Sequence, residues 1–156
     1  MICILMGVSG SGKSTIGQLL SQKLGWPFYD GDDFHPRENI AKMRQGIPLT
    51  DEDRRSWLST LRSLIEQNQN AIIACSSLKE SYRDYLEGER TDIVWIYLKG
   101  SYEEILERMQ HRQGHFMQPQ MLRSQFATLE EPKNALVIDI SLLPEEIIDR
   151  IVNLLD

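Results

Sequence analysis

Gly7-Val8-Ser9-Gly10-Ser11-Gly12-Lys13-Ser14 fits G-x-x-x-x-G-K-[ST] at every fixed position, the spacing of a phosphate-binding loop. Its flanks agree with that reading. Met1 to Met6 is a continuous apolar run, as expected of a strand covered on both faces of a parallel sheet. From Ser14 the spacing turns helical, with Ile16, Leu19, Leu20 and Leu24 on one side and Gly25 as a C-terminal stop. Between the two, glycines permit the positive-φ backbone that aims successive N–H groups inward as an anion nest. The N-terminal end of the following helix adds its dipole to the same spot. Lys13 then reaches the β- and γ-phosphates of a nucleotide, and Ser14 offers a hydroxyl to Mg²⁺. A plain strand-to-helix turn needs neither three glycines nor a lysine and a hydroxyl at these offsets. The loop therefore predicts binding of ATP or GTP.

Outward from the loop, short β-rich runs alternate with amphipathic stretches. Trp26 to Tyr29 reads as a second strand, and His35-Pro36 as the start of a helix with proline in its first position and Gly46 just past its end. Thr50 is placed to cap the next helix, with Asp51, Glu52 and Asp53 in its first turn and Trp57, Leu58, Leu61, Leu64 and Ile65 as its buried stripe. Strands are expected at Ala71 to Cys75, Ile93 to Leu98 and Ala135 to Ile140. Helices are expected at Lys79 to Leu86, Tyr102 to Gln113, Pro119 to Leu129 and Glu145 to Leu155. Such alternation implies a three-layer α/β/α fold with a five-stranded parallel sheet. The segment from Arg112 to Pro119 reads as a flap between two helices.

Length and composition fit this picture. A chain of 156 residues, 41% hydrophobic and 26% charged, is expected to be one soluble domain with a core that needs no disulfides. Cys3 and Cys75 lie in apolar runs and read as reduced core residues, which points to the cytoplasm. No apolar run approaches the roughly 20 residues of a membrane span. A net charge of −6 argues against a nucleic-acid partner, whose phosphates it would repel. The three histidines have no metal-site spacing. The chain lacks the N-K-x-D motif of guanine-reading switch proteins, and its third strand ends Ala74-Cys75-Ser76 rather than in the aspartate of motor-type ATPases. Both absences favour a small-molecule kinase.

Within that class the chain resembles the gluconokinase family from Met1 to about Ile140. The resemblance lies in five blocks: Gly7 to Thr15; Asp30-Gly31-Asp32-Asp33-Phe34-His35-Pro36 with Asn39, Lys42 and Met43, running on through Gly46 to Asp51 and Asp53-Arg54 with Trp57-Leu58; Ala74 to Lys79 with Tyr82-Arg83; Arg108 and Arg112 with His115-Phe116-Met117; and Ser124 to Pro132. The likeness to shikimate and nucleoside monophosphate kinases is more distant. Ser56 stands where the family more often has proline, and the stretch from Pro132 to Val137 is shorter than usual.

The resemblance implies one P-loop kinase domain over residues 1–156 with a lid at roughly 108–127. It further implies transfer of a phosphoryl group from ATP, with Mg²⁺, to gluconate, and a homodimer; phosphorylation of a shikimate-like acid is the alternative. Gly7, Val8, Ser9, Gly10, Ser11, Gly12, Lys13, Ser14 and Thr15 are then the nucleotide contacts, joined by Arg108 and Arg112. These two arginines fall four apart on a predicted helix, hence on one face. Glu104, four residues before Arg108, offers the alternative of an ordinary surface pair. Asp32 follows the second strand and so belongs at the carboxyl edge of the sheet, where α/β proteins bind ligands. It is the candidate base and, with Ser14, the candidate metal ligand. Lys13 and Arg112 complete the catalytic set. Gluconate carries one carboxylate and a string of hydroxyls, which calls for cations and polar partners. The resemblance supplies His35, Lys42, Arg54, Ser76, Lys79, Arg83, His115 and Gln125 for it; His35 reads equally as a residue that caps or orients the helix it precedes, and Arg44 reads instead as an exposed helix residue.

Overall fold

The computed structural model describes residues 1–111 and 119–156. Five parallel strands, β1 (Ile2–Met6), β2 (Phe28–Asp30), β3 (Ala71–Ala74), β4 (Ile93–Lys99) and β5 (Leu136–Asp139), form one sheet in the order β2-β3-β1-β4-β5. The helices are α1 (Lys13–Leu24), α2 (Arg37–Arg44), α3 (Asp51–Gln67), α4 (Glu80–Glu87), α5 (Tyr102–Gln110), α6 (Pro119–Thr128) and α7 (Pro144–Leu155), with a 3₁₀ turn at Gly31–Phe34. None of them is long and apolar enough to cross a membrane.

All five residues of β1 are fully buried, and their alternation separates two cores. Cys3 and Leu5 face one side, with Ile16, Leu20, Ile72, Ile96, Ile138, Ile147 and Ile151. Ile2, Ile4 and Met6 face the other, with Trp57, Leu61, Ile65, Ile73, Leu86 and Trp95. A strand apolar at every position is thus the requirement of a central strand in a three-layer fold. Each such side chain contributes roughly 1.5–3 kcal/mol by leaving water.

Thr50 caps α3 as expected: its hydroxyl accepts from the Asp53 N–H while the Asp53 carboxylate accepts from the Thr50 N–H. Several expectations are corrected. The second strand begins two residues later, at Phe28, because the pairing with β3 starts at Ile72. Pro36 is the N-cap of α2 rather than its first residue. Leu19 is 38% exposed, outside the buried face of α1 that Ile16, Gly17 and Leu20 form. α5 ends at Gln110, with the His111 N–H bonded back to Arg108 and Met109. In the buried stripe of α3, Leu64 is only partly covered.

Chain order runs from β1 outward to β2, back to β3 and then across β1 to β4. That reversal leaves a crevice above the carboxyl ends of the central strands, the place where open α/β sheets bind ligands.

Candidate active site

Two clefts meet at the loop between β1 and α1. The loop turns inward through Gly10 at φ 83° and Gly12 at φ 98°, values that a residue with a Cβ rarely adopts. Gly12 is the N-cap of α1 and has no side chain to cap it, so the first amides of the helix point outward, available to an anion. Above Gly10, α5 packs so closely that a Cβ there would lie 3.1 Å from Ile105 and 3.2 Å from Met109. Lys13 Nζ bridges the carbonyls of Gly7 (2.9 Å) and Val8 (3.0 Å), which holds its charge over the nest.

The larger cleft, about 580 Å³, is walled by Gly10, Ser11, Gly12, Thr15, Arg108, His111, Ile140 and Leu142. Arg108 does not pair with Glu104, whose carboxylate caps α5 at the Ser101 N–H. It donates instead to the Ile140 carbonyl at 2.6 Å, placing its guanidinium 4.0 Å from where a Cβ on Gly12 would stand.

The smaller cleft opens on the other side of the loop and gathers Ser9, Asp32, His35, Arg54, Ser76 and Gln125. Its floor is Trp57, whose indole N–H donates to the Gly31 carbonyl at 2.7 Å and fixes the turn that presents Asp32. Asp32 keeps 57% of its side chain open to the cleft. The dense walls nevertheless push its carboxyl above the usual range; Lys13 opposes that rise, and Asp30 and Asp33 add to it. His35 is stacked on Trp57 at 4.2 Å and 14°. Burial, followed by the nearby Arg54 charge, pushes its pKa down to about 4, so it is neutral at physiological pH. Gln125 accepts the Ser9 N–H at 2.7 Å, which ties α6 to the phosphate loop. Arg54 Nη1 donates to the Tyr82 hydroxyl at 2.9 Å, and Tyr82 donates in turn to Asp51.

Asp30, to which the sequence assigned no role, is the residue that meets Ser14: the Ser14 hydroxyl donates to Asp30 Oδ2 at 2.6 Å. Its other oxygen accepts the Asp32 N–H at 3.0 Å. Ser14 and Asp30 together are a hard, all-oxygen donor set of the type Mg²⁺ takes.

Three basic residues expected at the substrate are committed elsewhere. Arg83 is buried and donates to the carbonyls of Ser77 (2.7 Å) and Glu130 (2.8 Å), outside the smaller cleft, so it braces the loop after β3. Lys42 pairs with Asp53 at 2.9 Å, joining α2 to α3. Lys79 pairs with Asp51 at 2.9 Å above the Tyr82 ring. Arg44 is exposed. Arg112 and His115 lie outside the described residues. Sequence reasoning did not find the Arg54–Tyr82–Asp51 chain, whose partners meet only when α3 and α4 pack; it also missed the His35–Asn39 contact, although the two residues lie only four apart at the start of α2.

A strand-loop-helix nest beside a polar acceptor cleft defines a P-loop kinase of small molecules. A family model described as shikimate kinase matches residues 9–156. The thermosensitive gluconokinase of Escherichia coli (strain K12) is 52% identical over 134 residues, covering 83% of this chain and 72% of that protein. Among solved structures, an unliganded sugar kinase from Janibacter sp. HTCC2649 superposes with a TM-score of 0.91 at 43% identity, covering 99% of this chain and 94% of that one. A gluconokinase from Sinorhizobium meliloti 1021 gives 0.87 at 39% identity, covering 98% and 94%. The chain belongs to the gluconokinase family.

Proposed function

We infer that this chain is an ATP-dependent gluconokinase, converting D-gluconate and ATP to 6-phospho-D-gluconate and ADP. The carrying observation is the smaller cleft, where a carboxylate, an imidazole and a guanidinium converge beside the phosphate loop. ATP occupies the larger cleft, with its phosphates against the loop amides and Lys13. Asp32 accepts the proton of the acceptor hydroxyl as that oxygen attacks the γ-phosphorus and the bond to the β–γ bridging oxygen breaks. Arg54 holds the gluconate carboxylate, and Ser76 and Gln125 bond its hydroxyls. Ser14, with Asp30 behind it and Asp32 nearby, would hold Mg²⁺, which when bound neutralises charge on the β- and γ-phosphates. Lys42 and Lys79 serve the site by holding α2, α3 and α4 together. Residues 1–156 act as one domain, in which Arg108, beside Gly12 of the phosphate loop, neutralises charge on the nucleotide phosphates. The enzyme works in the cytoplasm, as a homodimer.

A shikimate-like acceptor is the other reading that the fold permits, and the high identity to gluconokinases weighs against it. The test is ADP release from Mg·ATP with gluconate, shikimate, glucose, glycerate or AMP, using wild type and Asp32→Ala. Turnover with gluconate alone, reduced about 10²-fold or more in the variant, supports the reading. Turnover with a different acceptor and none with gluconate overturns it.

A further inference from the structure

His35 is held from two sides. Its ring lies flat on Trp57, and its Nδ1 stands 3.2 Å from the side-chain nitrogen of Asn39. Which atom of the imidazole carries the proton follows from Asn39. The same Asn39 nitrogen donates to the Asp53 carbonyl at 2.8 Å. Turned over, the amide would set its oxygen against that carbonyl, two acceptors in contact in a buried place, since Asn39 is only 2% exposed. The amide is therefore fixed with its NH₂ group between the two partners, one hydrogen for each. Nδ1 must then accept, which leaves the proton of the neutral ring on Nε2.

Nε2 faces Asp32 Oδ1 at 4.0 Å, beyond hydrogen-bonding range. An oxygen between them at ordinary hydrogen-bond lengths reaches both. We propose that His35, locked by Asn39 as its Nε2–H tautomer, is an obligate hydrogen-bond donor that, together with Asp32, selects an acceptor hydroxyl: the hydroxyl donates to Asp32 and accepts from His35. This rests on the gluconokinase reading above and adds to it a direction for each hydrogen bond. His35 takes no proton in the reaction; it holds the substrate oxygen that Asp32 also holds. Asn39 is a positioning residue that acts through His35. Among the described residues, the charged groups facing the ring are Asp32 and Arg54, and the low pKa that burial and Arg54 impose keeps it a neutral donor across the working range.

Two measurements test this. The first is independent of turnover: ¹⁵N spectra of histidine-labelled protein at pH 7, with the His35 signals assigned by their loss in His35→Gln. Protonated Nε2 and bare Nδ1 are expected; protonated Nδ1, or an imidazolium, overturns the proposal. The second uses steady-state kinetics with gluconate and its singly deoxygenated analogues. Glutamine can place an N–H near the position of Nε2, whereas asparagine reaches only the Nδ1 position. His35→Gln is therefore expected to keep the gluconate KM within about fivefold of wild type, while His35→Asn and His35→Ala raise it about tenfold or more, with the ATP KM unmoved. The analogue that lacks the acceptor hydroxyl cannot be phosphorylated and is measured as a competitive inhibitor; its weaker binding than gluconate in wild type should disappear in His35→Ala, where the hydrogen bond is absent for both. If wild type turns over gluconate and all three variants behave alike, the donor role is wrong while the functional reading stands. Absence of gluconate turnover in wild type overturns both the functional reading and the role of His35 in it.

Discussion

Lowering the pH from 7 to 5 should destabilise this protein through His35, and the size of the effect follows from where the ring sits. In the folded state its pKa is pushed down from 6.5 to about 4 by burial and by Arg54. The unfolded chain therefore takes up a proton near pH 6.5 that the folded protein refuses until about pH 4. Because the unfolded state binds more protons in this window, stability falls as pH falls; the contribution is complete above pH 6.5 and lost towards pH 4. At pH 5 the unfolded histidine is almost fully protonated and the folded one about a tenth, which amounts to about 2 kcal/mol at roughly 1.4 kcal/mol per pKa unit. Only 4% of the side chain is exposed, so solvent screening removes little of this. The assay is urea denaturation of wild type and His35→Gln at half-unit steps from pH 7 to 5, taken as the difference between the two proteins. Asp32, shifted upwards, stabilises the folded state in acid and is common to both, so it cancels. The difference should change by about 2 kcal/mol against wild type, equivalent to about 4–8 °C in Tm for a chain of this size. A difference that stays flat across the window would refute the claim that the folded protein holds His35 neutral.

Three substitutions probe the supports of the site. Arg83→Met leaves the Ser77 and Glu130 carbonyls without their donor and should cost about 2–4 kcal/mol in a melting experiment; a raised gluconate KM with unchanged Tm would mean that Arg83 binds substrate after all. Tyr82→Phe keeps the ring beneath Arg54 and removes the hydroxyl that links it to Asp51, so the gluconate KM should rise several-fold, up to about tenfold, with the ATP KM constant, as steady-state kinetics would show. Gly31→Ala would set a Cβ 2.5 Å from the Ala74 carbonyl, and the shift it forces on the turn carrying Asp32 should lower stability by about 1–3 kcal/mol and reduce kcat at least tenfold.

The parts of the molecule legible in the sequence are those whose physics is local. Anion binding dictates every fixed position from Gly7 to Ser14, and the Thr50–Asp53 cap spans four residues. The buried run of β1 announces a strand covered on both faces. The order of the strands is not written in any one segment, since it depends on which edges pair after collapse. The fate of the basic residues was hidden for the same reason. Lys42, Lys79 and Arg83 look alike in sequence as cations near a substrate, but Asp53, Asp51 and two backbone carbonyls reach them only once α2, α3 and α4 have packed. Leu19 fits the apolar spacing of α1 yet lies at the rim of its buried face, 38% exposed. Asp30 and Asp32 are indistinguishable by spacing; the structure separates them by turning Asp30 onto Ser14 and Asp32 into the cleft.

The identity of the phosphorylated product decides what this enzyme does. The direct measurement is to incubate the enzyme with Mg·ATP and gluconate, remove it, and assay the product with NADP⁺ and 6-phosphogluconate dehydrogenase. NADPH should form in a one-to-one ratio with the ADP released, and none should form from an incubation with Lys13→Met. ADP release without a product that the dehydrogenase accepts would contradict the assignment as a gluconokinase.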